Sequence, residues 1–472
     1  MDPAFRRDDE FRNDERHVEM TVSAEHSDGL PVILPGVTLT SLSSHIGDAV
    51  LRPKMPLWWW IGFLFSLALL LVLVIASTWL FVNGIGIWGV NIPVAWGLAI
   101  AEYVWWIALA SGGTIVSALF YLTRSPWRAA ISRIAESMML CAAASAGIMP
   151  ILHLGRPGFF YWLFPYPNAM DIWPQFRSPL LWDFVCLLCY ILMSLMFYYA
   201  GLLPDLATIR DQARTRGRQI FYGILALGWR GSTRQWRPYK TVYLIMAAIM
   251  APMVVSVHSV VGLDFAGGLT PGWHSTQFPP YFFFGAVISG IALVILLTIP
   301  IRRAYALQPI ITEYHLNALG KIMLTGSLMI SFAYVWEAFG PFYGSEVAER
   351  TMFTERVFGL YAPIFWATIV LNVALPQLLW WPAVRVNEAL LALIAVGIII
   401  GMWCERFVIV VTSLHRDYPP SEWGNYAPTL WDWATFAGSI GLFLTLYFIV
   451  LRLVPIVPLA ELRELLRDTA PR

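Results

Sequence analysis

Charge is scarce in this sequence. Only 13% of its 472 residues are Asp, Glu, Lys or Arg, whereas 58% are hydrophobic and 23 are tryptophan. A water-soluble core cannot hide that much apolar surface, but lipid can solvate it. The formal net charge of +1 gives no whole-chain attraction to nucleic acid. Cysteine is also sparse, with four residues at positions 141, 186, 189 and 404, all inside apolar runs. Cys186 and Cys189 have C-x-x-C spacing, but no second pair and no adjoining histidine accompany them. A zinc site or a c-type haem attachment is therefore unsupported, and helix packing accounts for the thiols. No Walker loop and no G-x-S-x-G elbow is present. A removable signal peptide is not expected, because the first 50 residues are polar and charged with no short apolar core. They read as a mostly irregular arm.

What is abundant is long apolar sequence. A membrane span needs about 20 largely apolar residues. Ten segments qualify: 57–82, 94–122, 131–153, 179–202, 240–263, 280–301, 318–340, 360–380, 388–413 and 432–452. None alternates with the period of a barrel strand, so the expected fold is an all-α polytopic membrane protein. Pro252, Pro363 and Pro376 fall inside three spans and are expected to kink them. Only Arg156, Arg177, Arg350, Arg356, Arg406 and Arg416 lie on the side opposite the N-terminus; the other 25 of the 31 Lys and Arg share its side. Both termini are therefore expected in the cytoplasm, in agreement with an even number of spans. The basic segment 205–240 could hold lipid headgroups or partner subunits, although retention of positive charge on the inside explains it as well.

The unusual polar residues gather at the outer end. The third span leaves the membrane as His153-Leu-Gly-Arg156-Pro-Gly, and a long aromatic connection follows with Asp171 and Arg177. Asp183 sits just inside the fourth span. The fifth ends with His258, expected on its outermost turn, followed by Asp264 and a Gly/Pro/Trp loop containing His274. Glu102 lies near the outer end of the second span. Each residue alone could simply face water at a helix mouth, but ionisable groups inside a membrane cost about 2.5–3.5 kcal/mol each on insertion scales. A gathered set calls for a role. Only His153 and His258 are expected in or at the spans, both near one surface, which cannot ligate two stacked haems. Bases, donors and aromatic walls at a membrane surface suit a lipid-soluble carrier that sheds two electrons and two protons. Histidine titrates near neutrality, and a desolvated carboxyl can be brought toward it. In the later spans Glu337, Glu405 and Arg406 form a smaller set, read either as interhelical ion pairs or as a proton pathway together with Glu102. Adjacent Glu405 and Arg406 should point to different faces and need not pair. Gly112-Gly113 reads as a close helix contact.

HLGRPG after the third span and SVHSVVGLDFAGGLTPGWHSTQFPPYFFFG after the fifth resemble the NrfD/polysulfide-reductase membrane-subunit family, in particular its branch in bacterial alternative complex III. The resemblance spans roughly residues 57–452. It implies a cytoplasmic arm (1–56), a flanking helix and loop (57–93), a first four-helix bundle (94–263), an outer loop (264–279), a second bundle (280–414), and a last helix with its tail (415–472). It also implies that the chain binds no cofactor of its own and takes quinol, menaquinol being expected, at the outer mouth of the first bundle. Its partners would be an iron–sulfur subunit, a multihaem cytochrome c subunit and a homologous NrfD-like subunit in a bacterial inner membrane. On that resemblance His153, Asp171 and Asp264 would be catalytic, with Asp183 and His258 completing the hydrogen-bonding set and Arg156 and Arg177 holding carboxylates or carrier oxygens. Two other readings share parts of this pattern. One is a quinone-reducing anchor of a molybdenum or polysulfide-type reductase, distinguished only by its partner. The other is a proton-coupled secondary transporter, which would place its polar groups nearer the bilayer midplane.

Overall fold

Lipid leaves no water for exposed backbone, so a spanning chain must bond its own amides within each helix or close a barrel. The computed structural model describes residues 30–163, 176–344 and 346–468, and among these the solution is helical throughout the spans. Ten helices are long and apolar enough to cross: Leu57–Asn83, Leu98–Leu122, Ser132–His153, Pro179–Gln212, Thr233–Ala266, Phe278–Ala304, Glu313–Tyr343, Ala362–Trp380, Glu388–His415 and Leu430–Leu453. They are named below as spans one to ten.

The expected spans are all present, and their ends differ for physical reasons. Spans four and five continue several turns beyond their apolar stretches, because helical bonding persists where hydrophobicity stops. Span five also runs on to Ala266, so Asp264 is helical and His258 lies about two turns inside the helix end rather than on its outermost turn. Pro363 does not kink its helix but opens it, at a position where no amide partner is lost. Pro252 does lie within span five. Pro376 follows a π-turn, Val370–Ala374, and rewinds span eight into a 3-10 segment. Further π-turns interrupt span two at Ile115–Leu119 and span nine at Val408–Thr412.

Spans two to five pack as one four-helix bundle and spans six to nine as another. Span six joins them, lying against spans two and five of the first and seven and nine of the second. The closest joint is between Gly112 and Gly290, where a Cβ on Gly112 would come within 2.1 Å of the Gly290 carbonyl carbon. Spans one and ten flank the bundles as an antiparallel pair, with Trp79 stacked on Trp431 at 5.7 Å and Trp59 donating to the Phe448 carbonyl at 3.2 Å. Trp106 of span two ties span ten to the first bundle through Ser439, 2.9 Å away.

The arm is less irregular than its composition suggests. Val32 and Ile33 are buried, Leu34 donates to Pro309 at 2.9 Å, and Leu39–Leu51 is helical. The chain orders this part of its own arm, and residues 1–29 lie outside the described residues.

Beneath that arm, on the face carrying both termini, is a buried charge cluster. Arg133 pairs with Glu136 at 2.8 Å and Asp205 at 2.9 Å, and it also donates to the Gly201 carbonyl. Tyr243 donates to the second Glu136 oxygen at 3.1 Å, and the Ala460 amide donates to the second Asp205 oxygen at 3.1 Å. This network staples spans three, four and five to the C-terminal helix Leu459–Asp468.

Two stability outcomes follow from this packing. Gly112→Ala and Gly290→Ala are each expected to cost about 1–3 kcal/mol through overpacking against backbone, while Gly340→Ala, with nothing within 4 Å, leaves stability unchanged; thermal unfolding in detergent measures both. Arg133→Ala strands two buried carboxylates and is expected to cost about 3–5 kcal/mol, whereas Arg303→Ala removes a largely exposed cation and costs under about 1 kcal/mol.

Candidate functional site

The outer mouth of the first bundle is built from three helix ends. Span four opens at Pro179 after Ser178, so its first turns face the mouth and carry Asp183, which is 7% exposed. Span two begins at Leu98 and brings in Tyr103, whose hydroxyl donates to Asp183 Oδ2 at 2.6 Å. Asp264, in the last turn of span five, approaches the same carboxylate from the other side. Asp183 and Asp264 thus form a carboxyl pair close enough to share a proton, and Oδ1 of each is buried and receives no bond from an N–H or O–H donor of the protein. Buried carboxylate oxygens without donors are costly, so the pair needs a shared proton, a ligand hydroxyl or a water as its complement. Cys186 flanks the pair one helical turn along from Asp183.

His153 closes span three at the same end, and its Nδ1 is likewise buried and without a partner. Gly155, in the left-handed region at φ 66°, turns the chain directly after it; a Cβ there would meet Ile85 at 2.5 Å. Arg156 and Arg177 are exposed at the rim. Asp171 lies outside the described residues. Next to Asp264 in the chain, Phe265 belongs to an aromatic cluster. Phe265 meets Trp273 edge-on at 5.0 Å, Trp96 lies 5.4 Å from Trp273, and the Trp273 indole is anchored to the Ile409 carbonyl at 2.7 Å.

His258 belongs to a different environment. It is 1% exposed inside the bundle, with Nδ1 at 3.0 Å from the Val254 carbonyl and Nε2 at 3.3 Å from Ser111 Oγ. A carbonyl only accepts, so a neutral ring carries its proton on Nδ1 and receives the Ser111 hydroxyl at Nε2. Both nitrogens are satisfied, as expected for a histidine that joins spans two and five. Two further histidines lie at the ends of spans, where the sequence placed only His153 and His258. His315 in span seven bonds the Trp127 carbonyl at 3.1 Å, and His415 closes span nine. Among the described residues, no group of three or more His, Cys, Asp or Glu could hold a metal ion.

The remaining acids divide sharply. Glu102 is fully buried beside Tyr103 but directed toward Asp432 and Tyr426, and both its oxygens lack partners. Asp432 is saturated by Tyr426, Gly89 and Thr429. Glu337 pairs with Arg356 at 2.5 Å, and Arg356 is also bound by Thr412 and Ser413 at 2.7 Å each. Glu405 accepts a short hydrogen bond from Tyr334, which itself receives one from Asn372 at 2.9 Å. Contrary to the expectation from adjacency, Arg406 does contact Glu405, Nη1 to Oε1 at 2.8 Å. The approach is off the line of a hydrogen bond, so all three guanidinium nitrogens stay unpartnered while the cation lies 4.4 Å over the Phe282 ring.

Composition had pointed to the mouth, and the structure brings together Asp183 and Asp264 there, with His153 at the same end. Tyr103 escaped the sequence reading. In AEYVWW it looks like one more interfacial aromatic, and its partner is 80 residues away.

With this geometry in place, comparison with known proteins is informative. Residues 88–416 match the family model described as polysulphide reductase, NrfD. The chain is similar to a putative membrane subunit of the dimethyl sulfoxide reductase of Halobacterium salinarum, 26% identical over 394 residues that cover 79% of this chain and 83% of that protein. It is also similar to a subunit of the selenate reductase of Mesobacillus selenatarsenatis, 23% identical over 380 residues, covering 77% and 86% respectively. The ten-helix protein described here belongs to the NrfD polysulphide reductase family.

Proposed function

We propose that this chain is the quinol-binding membrane subunit of a multisubunit reductase, taking electrons from the bilayer and passing them to an iron–sulfur subunit docked on the outer face. The observation that carries this reading is the buried Asp183–Asp264 carboxyl pair, to which Tyr103 supplies a single hydroxyl donor. Quinol oxidation releases two electrons and two protons, and two adjacent carboxyls with a nearby imidazole supply acceptors for both protons. Tyr103 holds Asp183 in place, and Trp96, Phe265 and Trp273 form apolar walls for a flat ring. Arg156, Arg177 and Asp171 would complete the entrance. Both curated relatives are subunits of reductases, which supports a partner that consumes electrons. With such a partner electrons leave through quinol; with a partner that oxidises its substrate, the same site reduces quinone. The orientation proposed is both termini in the cytoplasm and the site on the periplasmic side of a cytoplasmic membrane, as the distribution of Lys and Arg favours.

A second reading, the quinol-oxidising subunit of an alternative complex III, is favoured by one feature. Spans one and ten, paired with each other, fall outside the matched segment 88–416. The partners would then include a multihaem cytochrome c and a second NrfD-like subunit. The buried acids Glu102 and Glu405, the half-buried Glu337 and Arg406 would serve proton translocation in either assembly.

In the intact complex, Asp264→Asn and His153→Ala are expected to lower quinol-dependent turnover about 100-fold or more by removing a proton acceptor. Tyr103→Phe should lower it about tenfold, the loss of one charge-assisted hydrogen bond. Stopped-flow quinol oxidation measures all three, and unchanged rates in assembled complexes would overturn the site. Purification of the complex separates the two assemblies: molybdopterin supports the reductase, and c-type haem absorption supports the second reading.

A further inference from the structure

The face that carries both termini holds a cavity remote from the outer site and unused by the redox reading. It is ≈ 610 Å³ in volume and is walled by Trp229 and Trp236 with four cations, Arg210, Arg230, Lys240 and Arg463. Only two acids, Asp211 and Glu464, line it. A second hollow of ≈ 730 Å³ shares Trp229 and Arg230 with the first and runs over Ala200, Leu203 and Val242, with Arg234 at its edge. Leu203 and Val242 lie on spans four and five, whose outward side chains further along, such as Met196 and Ile245, are exposed as a lipid-facing surface. Beside the cavity runs the helix Arg216–Leu225. Its Ile220, Phe221 and Ile224 are exposed while Tyr222 is buried, the arrangement of a helix lying in the membrane interface.

The walls are built rather than incidental. Trp229 is buried and packs edge-on against Trp236 and Tyr239, each at 5.1 Å. Arg210 donates to the Trp229 carbonyl at 2.9 Å and to Asp211 at 2.8 Å, and Lys240 pairs with Glu464 at 2.7 Å. The two acids are thus engaged by two of the cations. The Arg230 backbone is fixed by Gln235 at 2.9 Å, in a turn flanked by Gly228 and Gly231, both at φ 73°. Among the described residues the guanidinium of Arg230 has no acceptor, nor does that of Arg234.

We infer that this double cavity is a binding site for one anionic phospholipid. The phosphate sits between Arg230 and Arg234 against the indole of Trp229, and an acyl chain follows Leu203 and Val242 toward the bilayer. Arginine is the side chain suited to phosphate oxygens because its donors are paired in a plane. A soluble anion would need the polar cavity alone. The continuity of that cavity with an apolar, membrane-facing hollow selects a ligand that is charged at one end and apolar at the other. Retention of positive charge on one membrane side requires no cavity, no aromatic wall and no fixed turn.

The test uses the full-length chain in nanodiscs of phosphatidylcholine with a minority of phosphatidylglycerol. Native mass spectrometry after partial delipidation counts the lipid retained. Phosphatidylglycerol is expected to remain bound to the unaltered protein, and Arg230→Gln and Arg234→Gln should each weaken that retention about tenfold. Arg214→Gln removes an equal charge from the same face, outside the cavity, and should have no effect. Thermal unfolding of each variant in phosphatidylcholine alone should match the unaltered protein, and added phosphatidylglycerol should stabilise all but the two cavity variants. Equal loss with Arg214→Gln, or equal retention of phosphatidylcholine, would mean diffuse attraction and overturn the proposal. Stabilisation by inorganic phosphate alone, as large as that by phosphatidylglycerol, would identify a soluble-anion site and overturn it too.

Discussion

A hydrocarbon interior gives a stranded charge no water, so each ionisable group carried into these bundles must be partnered by protein or held ready for something else. That constraint sorts the molecule. On the face with the termini, Arg133 is clasped by two carboxylates and a carbonyl, and those carboxylates take further bonds from Tyr243 and Ala460. Such a network, in which each carboxylate oxygen of Glu136 and Asp205 is bonded, locks three spans in register. At the opposite end the same residue types are less well supplied: the Asp183–Asp264 pair takes one bond from Tyr103, and His153 keeps its Nδ1 buried without a partner. Closed networks hold the frame, and the less supplied set at the other end is the one on which the proposed quinol site rests.

Span two is where frame and site meet. Its Gly112 lies against Gly290 backbone to backbone, which fixes its depth and rotation between the bundles. From that fixed helix, Tyr103 reaches the carboxyl pair on one side, Glu102 turns toward Asp432 on the other, and Ser111 holds His258 one level below. A small sideways shift of this helix would alter all three contacts together. The π-turn at Ile115–Leu119, just past the glycine joint, resets the helix register between its outer and inner halves.

Ten spans and their approximate limits were legible because hydrophobicity over about 20 residues is a local property. Gly112-Gly113 was legible as a close contact for the same reason, since absence of a side chain is visible in one residue. Pairings were not legible. Nothing in the sequence near Asp183 identifies Tyr103, and adjacency suggested that Glu405 and Arg406 would diverge, whereas a long arginine side chain bends back on its neighbour over Phe282. The depth of His258 was misread because the helix continues through VGLDFA, where apolar sequence gives way to glycine and aspartate without any loss of helical bonding. The order in residues 30–51 was hidden as well, since it depends on docking against the loop after span six rather than on the arm's own composition.

The direction of electron flow is a different kind of property from the site's shape. Carboxyls that accept protons from quinol return them to quinone, because a proton-transfer group catalyses both directions of one equilibrium. On the proposed reading, the chain would fix where the exchange takes place and which side of the membrane the protons reach. What fixes the direction is the potential of the partner that receives or supplies the electrons. The two curated relatives are reductase subunits, and in this chain the paired flanking spans lie outside the segment matched to the family. On the proposed reading, a proton-accepting carboxyl pair held by this chain's own helices would work in either direction, and only the attached partner would decide which.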